Sequence, residues 1–417
     1  AFFVCDLRDI ARKVQLWKEQ LPRIVPFYAV KVCRDPVVLD LINRHHVNYD
    51  CSNKVEISTV LNMNASPDRI VYASTVKSVP DLEFASQHGV RLMTFDCAGE
   101  LAKITDKNAR LLLRIEADDE DVQHSFNTKF GCSVDEADSI LKETRTRGHN
   151  VIGVAFHVGC AYNDPGIFIR TIKRAKVVFD MAAALGYDMV VLDIGGGFPG
   201  GLRNRDKFLK VCQSIRQATD LYFPESSGVR IIAEPGQSFV TSAISLVVQV
   251  LGKRYRKAVV DGFDQLHQHV YINESRDNCI MRHLYEFMDV KICPLQEPLL
   301  RPRNMPTTLW GSSCNALDCI EANQMFFDVI AGEWLLMDNI GAYSLSRASG
   351  FNGLPFPAMH YIVPHDYAGT VQDILESNPL RSGHGQQEGV LKSAVLECWR
   401  RQSAQRNGHP GVNGVLR

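Results

Sequence analysis

The sequence lacks any long hydrophobic run. Its apolar segments fall well short of the roughly 20 residues that a membrane-spanning helix needs, so we expect no transmembrane segment. The 417 residues also carry almost no net charge, since 46 Lys and Arg oppose 47 Asp and Glu to give a formal charge of −1. This balance argues against nucleic acid or an anionic membrane as the main partner.

Metal-binding motifs and a compact cysteine framework are also missing. There is no C-x-x-C or H-E-x-x-H pattern, and Cys314 and Cys319 lack a known ligand spacing, which argues against a metal site. The twelve cysteines are scattered along the chain, so we expect reduced thiols and a cytoplasmic protein. The chain opens without Met on the strand-like AFFVCDL, and we expect that a segment preceding it is missing.

Eight short strand-like segments recur along the first 240 residues. Each is rich in β-branched and aromatic residues and nearly continuously apolar, as expected of parallel strands buried on both faces. They are 26–31, 47–52, 70–74, 91–96, 110–115, 153–159, 189–197 and 229–236. Helical patterns such as DPVVLDLINRH separate them. Eight β-then-α units predict an α/β fold, a TIM-like (β/α)8 barrel over residues 7–240.

The pattern changes after residue 240. Strand-like pieces such as SLVVQVLGKRY and EWLLMDNIGAYS follow one another without long helices, which predicts an all-β second domain over 241–370. We expect residues 1–6 to contribute a further strand to it. The polar, glycine-rich composition of 371–417 predicts a flexible tail.

Polar residues collect at the carboxyl ends of the predicted barrel strands. They are Lys31, Asp50, Arg114, His157, Gly195–Gly197 and Glu234. In a barrel these ends converge on one face, which is where the active sites of such folds lie. We therefore expect an active site there.

The glycine-rich stretch GGGFPG, residues 195–200, admits more than one interpretation. It matches the dinucleotide-binding pattern G-x-G-x-x-G, but Pro199 stands where the helix should begin and the strand is the seventh rather than the first. A glycine turn whose backbone N–H groups approach a phosphate suits a late barrel loop better. A tight turn without a ligand remains the alternative.

A lysine, a glycine turn and a glutamate at a barrel mouth together suggest pyridoxal phosphate. The lysine would form a Schiff base, and the glycine turn would hold the phosphate. The acidic residue would keep the pyridine nitrogen protonated, so that the ring can accept electrons.

These motifs resemble those of the eukaryotic ornithine decarboxylases and their paralogues. Counterparts exist for PFYAVK, YDCSNKVE, LLRI, FHVG, LDIGGGFPG, AEPG, WGSSC and DNIGAYS. The resemblance implies an alanine-racemase-like barrel with a β domain, and pyridoxal phosphate as cofactor. It also implies a homodimer with two active sites at the subunit interface.

The resemblance further implies roles for single residues. Lys31 would form the Schiff base, His157 would stack on the cofactor ring, and Cys314 would reach into the partner subunit's site. Glu234 would pair with the pyridine nitrogen. The implied cofactor-binding residues are Lys31, Asp50, Glu56, Arg114, His157, Cys160, Gly195, Gly196, Gly197, Glu234, Gly236, Gln237 and Tyr343.

Four positions depart from the family pattern. Gln237 replaces an arginine and Cys160 a serine near the phosphate, while Glu274 and Asn315 replace two aspartates that hold the substrate's distal amine. Losing a charge-assisted hydrogen bond costs about 1.5–3 kcal/mol, which weakens cofactor binding without abolishing it. Losing a carboxylate that pairs with a buried ammonium costs about 2–5 kcal/mol. Ornithine is therefore expected to be a poor substrate.

The sequence thus predicts a carboxy-lyase that uses pyridoxal phosphate to decarboxylate a neutral aliphatic amino acid, leucine or valine. One alternative is a regulator of polyamine synthesis that resembles the antizyme inhibitors, because residues 88–110 cover the family's antizyme-binding region and contain several basic residues. The other is a true ornithine decarboxylase of the polyamine pathway.

Overall fold

The computed structural model describes residues 1–376 except 121, 123, 124, 161, 261, 262, 281–289, 297, 299 and 364–366. Its strands are β1 Phe2–Asp6, β2 Ile24–Ala29, β3 Asn48–Cys51, β4 Ile70–Tyr72, β5 Leu92–Phe95, β6 Arg110–Arg114, β7 Asn150–Ala155, β8 Val191–Asp193, β9 Arg230–Ala233, β10 Ile244–Val260, β11 Phe263–Ile272, β12 Ile292–Pro294, β13 Met305–Trp310, β14 Cys319–Phe326, β15 Trp334–Met337 and β16 Ala358–Ile362. Its helices are α1 Leu7–Gln20, α2 Pro36–Arg44, α3 Lys54–Leu61, α4 Val79–Gln87, α5 Ala98–Leu101, α6 Val134–Thr146, α7 Ile167–Ala184, α8 Arg205–Tyr222, α9 Gln237–Val240 and α10 Ala368–Glu376.

Strands β2 to β9 close into a parallel barrel. Neighbours in sequence pair with one another, and β2 closes the ring by pairing with β9, Ile24 opposite Ile231. Side chains from seven strands fill one apolar cluster, Phe27, Val71, Leu92, Leu112, Ala155, Val191 and Ile232. This packing explains why the strands are nearly continuously apolar, because one face meets this cluster and the other meets the helices.

The helices around the barrel begin where the sequence provides capping residues. Asp35 accepts the N–H groups of Val37 and Val38 at the start of α2, and Pro36 occupies the first turn. Ser133 and Glu136 form a reciprocal capping box at the start of α6. Such caps satisfy N–H groups that have no partner within the helix, so each fixes where a strand-to-helix loop ends.

A second, mainly antiparallel sheet follows the barrel, with strand order β12-β15-β10-β11-β13-β14. The first strand of the chain belongs to this sheet, since β1 pairs antiparallel with β10 and parallel with β16. The predicted fold class, a (β/α)8 barrel with a C-terminal β domain, is therefore confirmed. Within the described residues, no helix combines the length and apolar character needed to cross a membrane.

Helix α10 lies where the sequence suggests a tail from residue 371. Val371 is buried, and the preceding Tyr367 donates its hydroxyl to Asp40 at 2.6 Å. Because these contacts hold α10 against α2, residues 371–376 belong to a helix rather than to a loose tail. Residues 377–417 lie outside the described residues.

Candidate active site

The polar residues singled out in the barrel lie at or just after the ends of six strands. Asp50 lies in β3 and Arg114 ends β6, while Lys31 and His157 follow β2 and β7 by two residues. The Gly195–Gly197 turn begins two residues after β8, and Glu234 comes directly after β9. Parallel strands of a closed barrel bring these ends to one face.

An ion pair between Lys31 and Asp50 lies at this face. The Lys31 ammonium lies 2.5 Å from Asp50 Oδ2, and the Asp50 side chain is 0% exposed. Asp50 Oδ1 has no hydrogen-bond partner among the residues that the structure describes. Burial alone would lower the pKa of Lys31, but the carboxylates of Asp50 and Glu234 raise it above its usual value. The lysine is therefore held in place as an ammonium.

Besides this ion pair, the barrel mouth contains a pair of carboxyl groups, those of Glu234 and Asp193. Burial raises the pKa of both, and the negative charge of Asp193 raises the pKa of Glu234 further. The Gly195 backbone joins them, since its N–H donates to Asp193 Oδ1 at 2.9 Å and its carbonyl accepts the Glu234 N–H at 2.7 Å. Each carboxyl group of the pair therefore takes up a proton more readily than an ordinary carboxyl group does. Asp193 was not singled out in the sequence, although it lies within the LDIGGGFPG motif.

His157 is held as a neutral imidazole. Its Nδ1 accepts the Gly159 N–H at 3.0 Å, and Phe126 packs edge-on at 5.0 Å between ring centroids. Burial, together with the positive charges of Arg114 and Lys31, holds the pKa of His157 well below its usual range. Phe126 also went unnoticed in the sequence, because it lies in a loop without a motif.

The glycine turn after β8 packs too closely for any side chain. A Cβ on Gly195 would lie 2.1 Å from the Phe156 carbonyl oxygen, and one on Gly196 would lie 2.7 Å from His157 Nε2. Gly197 has a φ of +95°, and its Cβ would lie 2.2 Å from the Gly159 carbonyl oxygen. The turn thus leaves its backbone bare beside His157, which is the geometry that lets backbone N–H groups approach an anion.

Two further predicted residues border the same region. Burial raises the pKa of the Cys160 thiol to about 11, although the charge of Lys31 opposes the rise. Tyr343 adopts a left-handed backbone conformation with φ of 59°, and its N–H donates to the Val32 carbonyl just after Lys31. Burial also raises the pKa of its phenol, which therefore stays protonated.

Three others occupy the edge of this region. Gln237 begins α9 and donates its side-chain amide to the Phe198 carbonyl at 3.2 Å. A Cβ on Gly236 would lie 2.4 Å from a methyl of Val32. Glu56 is buried in α3, and its carboxylate accepts both the N–H and the hydroxyl of Ser52 at 2.7 Å. These contacts place Glu56 next to the end of β3.

The remaining predicted residues lie together on the β domain. The Cys314 N–H donates to Asn352 Oδ1 at 3.2 Å, and the Cys314 side chain is exposed. It lines an open cavity of about 320 Å³ with Arg254, Trp310 and Asn315, among others. The structure therefore groups the predicted site residues in two sets, one at the barrel mouth and one around Cys314.

A carboxylate that went unnoticed in the sequence accompanies the Cys314 loop. The Asn315 side-chain amide donates to both oxygens of Asp277, at 3.0 and 3.2 Å, and the Ser313 hydroxyl donates to Asp277 at 2.9 Å. Glu274 is only 2% exposed and accepts the Ser275 N–H at 2.8 Å. Burial raises the pKa of Glu274. A negative charge thus lies beside Asn315 even though position 315 itself is neutral.

Comparison with known proteins places the chain in a family. Residues 7–241 match the model of the pyridoxal-dependent decarboxylase pyridoxal-binding domain. Ornithine decarboxylase of Rattus norvegicus is 36% identical over 374 residues, 87% of this chain and 80% of the relative. The chain belongs to the pyridoxal-dependent decarboxylase family.

Two further comparisons agree with this assignment. Antizyme inhibitor 2 of Xenopus laevis is also 36% identical, over 87% of this chain and 81% of its own length. The structure of the Paramecium bursaria Chlorella virus arginine decarboxylase bound to agmatine superposes with a TM-score of 0.79 at 32% identity, covering 87% of this chain and 95% of that one. The predicted relationship to the ornithine decarboxylases is thus confirmed. The same holds for the predicted enzyme class, a pyridoxal-phosphate-dependent carboxy-lyase.

The barrel mouth fits the pyridoxal phosphate that this family uses. It combines the Lys31 amine and a buried carboxyl pair with a glycine turn whose backbone no Cβ could cover. Asp50 Oδ1 is a buried polar atom without a partner beside this amine. Unsatisfied buried groups are rare in folded proteins, and a bound polar molecule can supply the missing hydrogen bond.

Proposed function

We propose that this protein catalyses the pyridoxal-phosphate-dependent decarboxylation of an amino acid. The observation that carries the proposal is the Lys31–Asp50 ion pair, which lies beside the Asp193–Glu234 carboxyl pair at the mouth of a barrel of this family. Lys31 supplies the amine that anchors the cofactor, and the carboxyl pair supplies the proton-holding group. We further propose a cytoplasmic location, as the relationship to the ornithine decarboxylases suggests.

Each part of the cofactor has proposed partners in this chain. His157 would lie against the ring. The phosphate would be held by the Gly195–Gly197 turn, Gly236, Gln237, Cys160 and Tyr343. Asp50, Glu56 and Arg114 would complete the surroundings of the cofactor. When bound, the cofactor supplies an electron sink for the electron pair that CO2 leaves behind.

The chain's own groups are set for this task. His157 is neutral, so it can lie flat against a ring without placing a second positive charge beside Lys31 and Arg114. A proton bound by the Asp193–Glu234 pair would be held at the cofactor's ring nitrogen, where it would make the ring electron-poor.

We also propose that the active unit is a homodimer in which Cys314 completes the site of the partner subunit. Cys314 is exposed on the β domain, and its loop is tied to Asn352 and Asp277 of its own chain. Each site would then need Lys31 from one subunit and Cys314 from the other.

Mixing two inactive variants tests this arrangement. Lys31→Ala and Cys314→Ala are each expected to lose activity, and their mixture should regain up to about one quarter of the wild-type rate after subunit exchange, because half of the dimers then contain one intact site. A mixture as inactive as its components would refute a shared site.

The substrate's side chain is the finer part of the proposal. The neutral Asn315 and the cationic Arg254 line the same cavity as Cys314, which supports the uncharged side chain of leucine or valine. The anchored Asp277 carboxylate and the names of the relatives support a cationic side chain instead, such as that of ornithine or arginine.

A CO2-release screen with excess pyridoxal phosphate decides between them. We expect release from at least one of ornithine, arginine, lysine, leucine or valine. Release from leucine or valine alone would establish the aliphatic class, and release from the basic amino acids alone would establish the cationic class. No CO2 release from any of the five amino acids would contradict the proposed decarboxylation of these substrates.

A second candidate function is regulation through antizyme, which the likeness to antizyme inhibitor 2 favours. Several cations of the segment 88–110 are engaged within the chain. Lys103 pairs with Glu100 at 2.5 Å, Lys107 donates to the Arg147 carbonyl at 2.9 Å, and Arg110 pairs with Asp68 at 3.1 Å. Capture of this chain by immobilised antizyme, with no cofactor absorption after pyridoxal phosphate is added, would support regulation over catalysis.

A further inference from the structure

A second cavity, of about 80 Å³, adjoins the far end of the glycine-rich loop. It lies between helix α1, the start of α8 and the short helix α9. Its lining includes Arg12, Lys13, Gly200, Arg205 and Ser238. None of the residues proposed to contact the cofactor lines it, so it is a separate feature of the fold.

Positive charge exceeds negative charge around this cavity. Arg12, Lys13 and Arg205 line it, and the carboxylate that faces these cations is that of Asp9. Asp9 is already paired with Arg12, and its Oδ2 lies 3.7 Å from Lys13 Nζ while accepting the Ser242 hydroxyl at 2.5 Å. Asp206, the acidic residue of the first turn of α8, is exposed and does not line the cavity.

Lys13 is the buried member of this group. Its side chain is 11% exposed, and its ammonium donates to the Gly200 carbonyl. Burial lowers the pKa of Lys13 to about 8. The carboxylate of Asp9 raises this pKa only in part, and the positive charge of Arg12 lowers it further. A second anion beside this ammonium would stabilise its charged form.

Two polar features of the cavity also point to an oxyanion. Ser238 is 4% exposed, and its buried hydroxyl has no hydrogen-bond partner in the part of the chain that the structure describes. The 18-residue helix α8 begins at the cavity without a side-chain cap from Asn204. An uncapped helix start presents N–H groups and a partial positive charge, which favour a bound anion.

We propose that this cavity binds a small oxyanion, a phosphate or a carboxylate group, between Lys13, Arg205 and the first turn of α8. The Ser238 hydroxyl donates to the same anion. Gly200 and α9 pack so closely that a Cβ on Gly200 would lie 2.0 Å from the Gln237 carbonyl oxygen. An anion bound here therefore braces the loop that follows the Gly195–Gly197 turn.

Thermal unfolding of the full chain, loaded with pyridoxal phosphate and then freed of unbound cofactor, tests the proposal. Inorganic phosphate and acetate are titrated separately, with sodium chloride at matched ionic strength as the reference. We expect a saturable rise in Tm with at least one of the two oxyanions, and the responding anion identifies the phosphate or the carboxylate as the preferred group. Lys13→Met and Arg205→Gln should each raise the apparent Kd about tenfold or more.

Two matched variants make the result specific. Arg8→Gln removes an exposed cation of the same helix α1, whose guanidinium pairs with Asp6, and should leave the titration unchanged. Tyr343→Phe alters the proposed cofactor site and should also leave it unchanged. The proposal is overturned if neither oxyanion stabilises the protein saturably, or if Lys13→Met and Arg205→Gln respond like the wild type. It is also overturned if Tyr343→Phe alone removes the effect, since the anion would then occupy the cofactor site.

Discussion

Replacing Lys31 by Met should destabilise the cofactor-free protein by leaving Asp50 buried without its partner. Asp50 is 0% exposed, and among the described residues its second oxygen already has no hydrogen-bond partner, so none of these residues supplies a donor to replace the ammonium at 2.5 Å. Breaking a buried ion pair by removing one member costs about 3–5 kcal/mol. The Lys31 side chain is 39% exposed and therefore partly screened, so we expect about 3 kcal/mol, the low end of that range.

Urea unfolding at pH 7 measures this cost, and a double variant serves as the control. Lys31→Met/Asp50→Asn removes both charges, so its free energy of unfolding should lie closer to the wild-type value than that of Lys31→Met alone. Asp50→Asn alone completes the cycle. If the effects of Lys31→Met and Asp50→Asn add without interaction, the ion pair does not stabilise the barrel mouth and the reasoning fails.

Three further predictions concern the surroundings of this pair. Gln237→Arg should tighten pyridoxal phosphate binding about 10- to 100-fold, because it restores a charge-assisted contact worth about 1.5–3 kcal/mol. A spectroscopic titration measures the affinity, with Gln237→Leu as the control. Equal affinities of the two variants would count against a phosphate contact at this position. Because the pKa of His157 is depressed in the folded state, its contribution to stability is present above the unfolded pKa of 6.5 and is lost as the pH falls below it, by up to about 1.4 kcal/mol per pH unit. In urea unfolding between pH 8 and pH 5, the free energy of unfolding should therefore fall less steeply for His157→Gln than for the wild type. Parallel pH profiles would contradict this. Gly197→Ala should lower the free energy of unfolding clearly more than Gly228→Ala, because only the first places a Cβ 2.2 Å from a backbone oxygen. Gly228→Ala carries only the left-handed backbone cost of roughly 1–2 kcal/mol. Similar losses would refute the close packing of the turn.

The barrel could be predicted from the sequence because its strands are buried on both faces. Each of the eight apolar segments overlaps an observed strand, and the largest differences are at β7, which spans 150–155 rather than 153–159, and at β8, which spans 191–193 rather than 189–197. The extra residues of that segment form the Gly195–Gly197 turn, so the apolar run extends beyond the strand at the site itself. The β domain was harder, since β13 contains Pro306 and two consecutive threonines, and β14 mixes polar and apolar side chains.

The residues of the candidate site also divide into those that a sequence motif reveals and those that it does not. Lys31, His157 and the glycine turn stand in recognisable motifs at strand ends, so their proximity follows from the barrel. Asp277 has no motif, and its place beside Asn315 depends on how two loops of the β domain fold over each other. Contacts of this kind are tertiary, and local sequence patterns do not encode them. The roles of all these residues, and the domain limits at 240 and 241, stay predictions.

The most direct test of the central claim is CO2 release from carboxyl-labelled amino acids by the wild-type protein and by Lys31→Ala, both with excess pyridoxal phosphate. The proposed function predicts release by the wild-type protein from at least one amino acid and no release above background by Lys31→Ala. Equal release by both proteins would show that Lys31 does not anchor the cofactor. No release by the wild-type protein from any amino acid would contradict catalysis altogether.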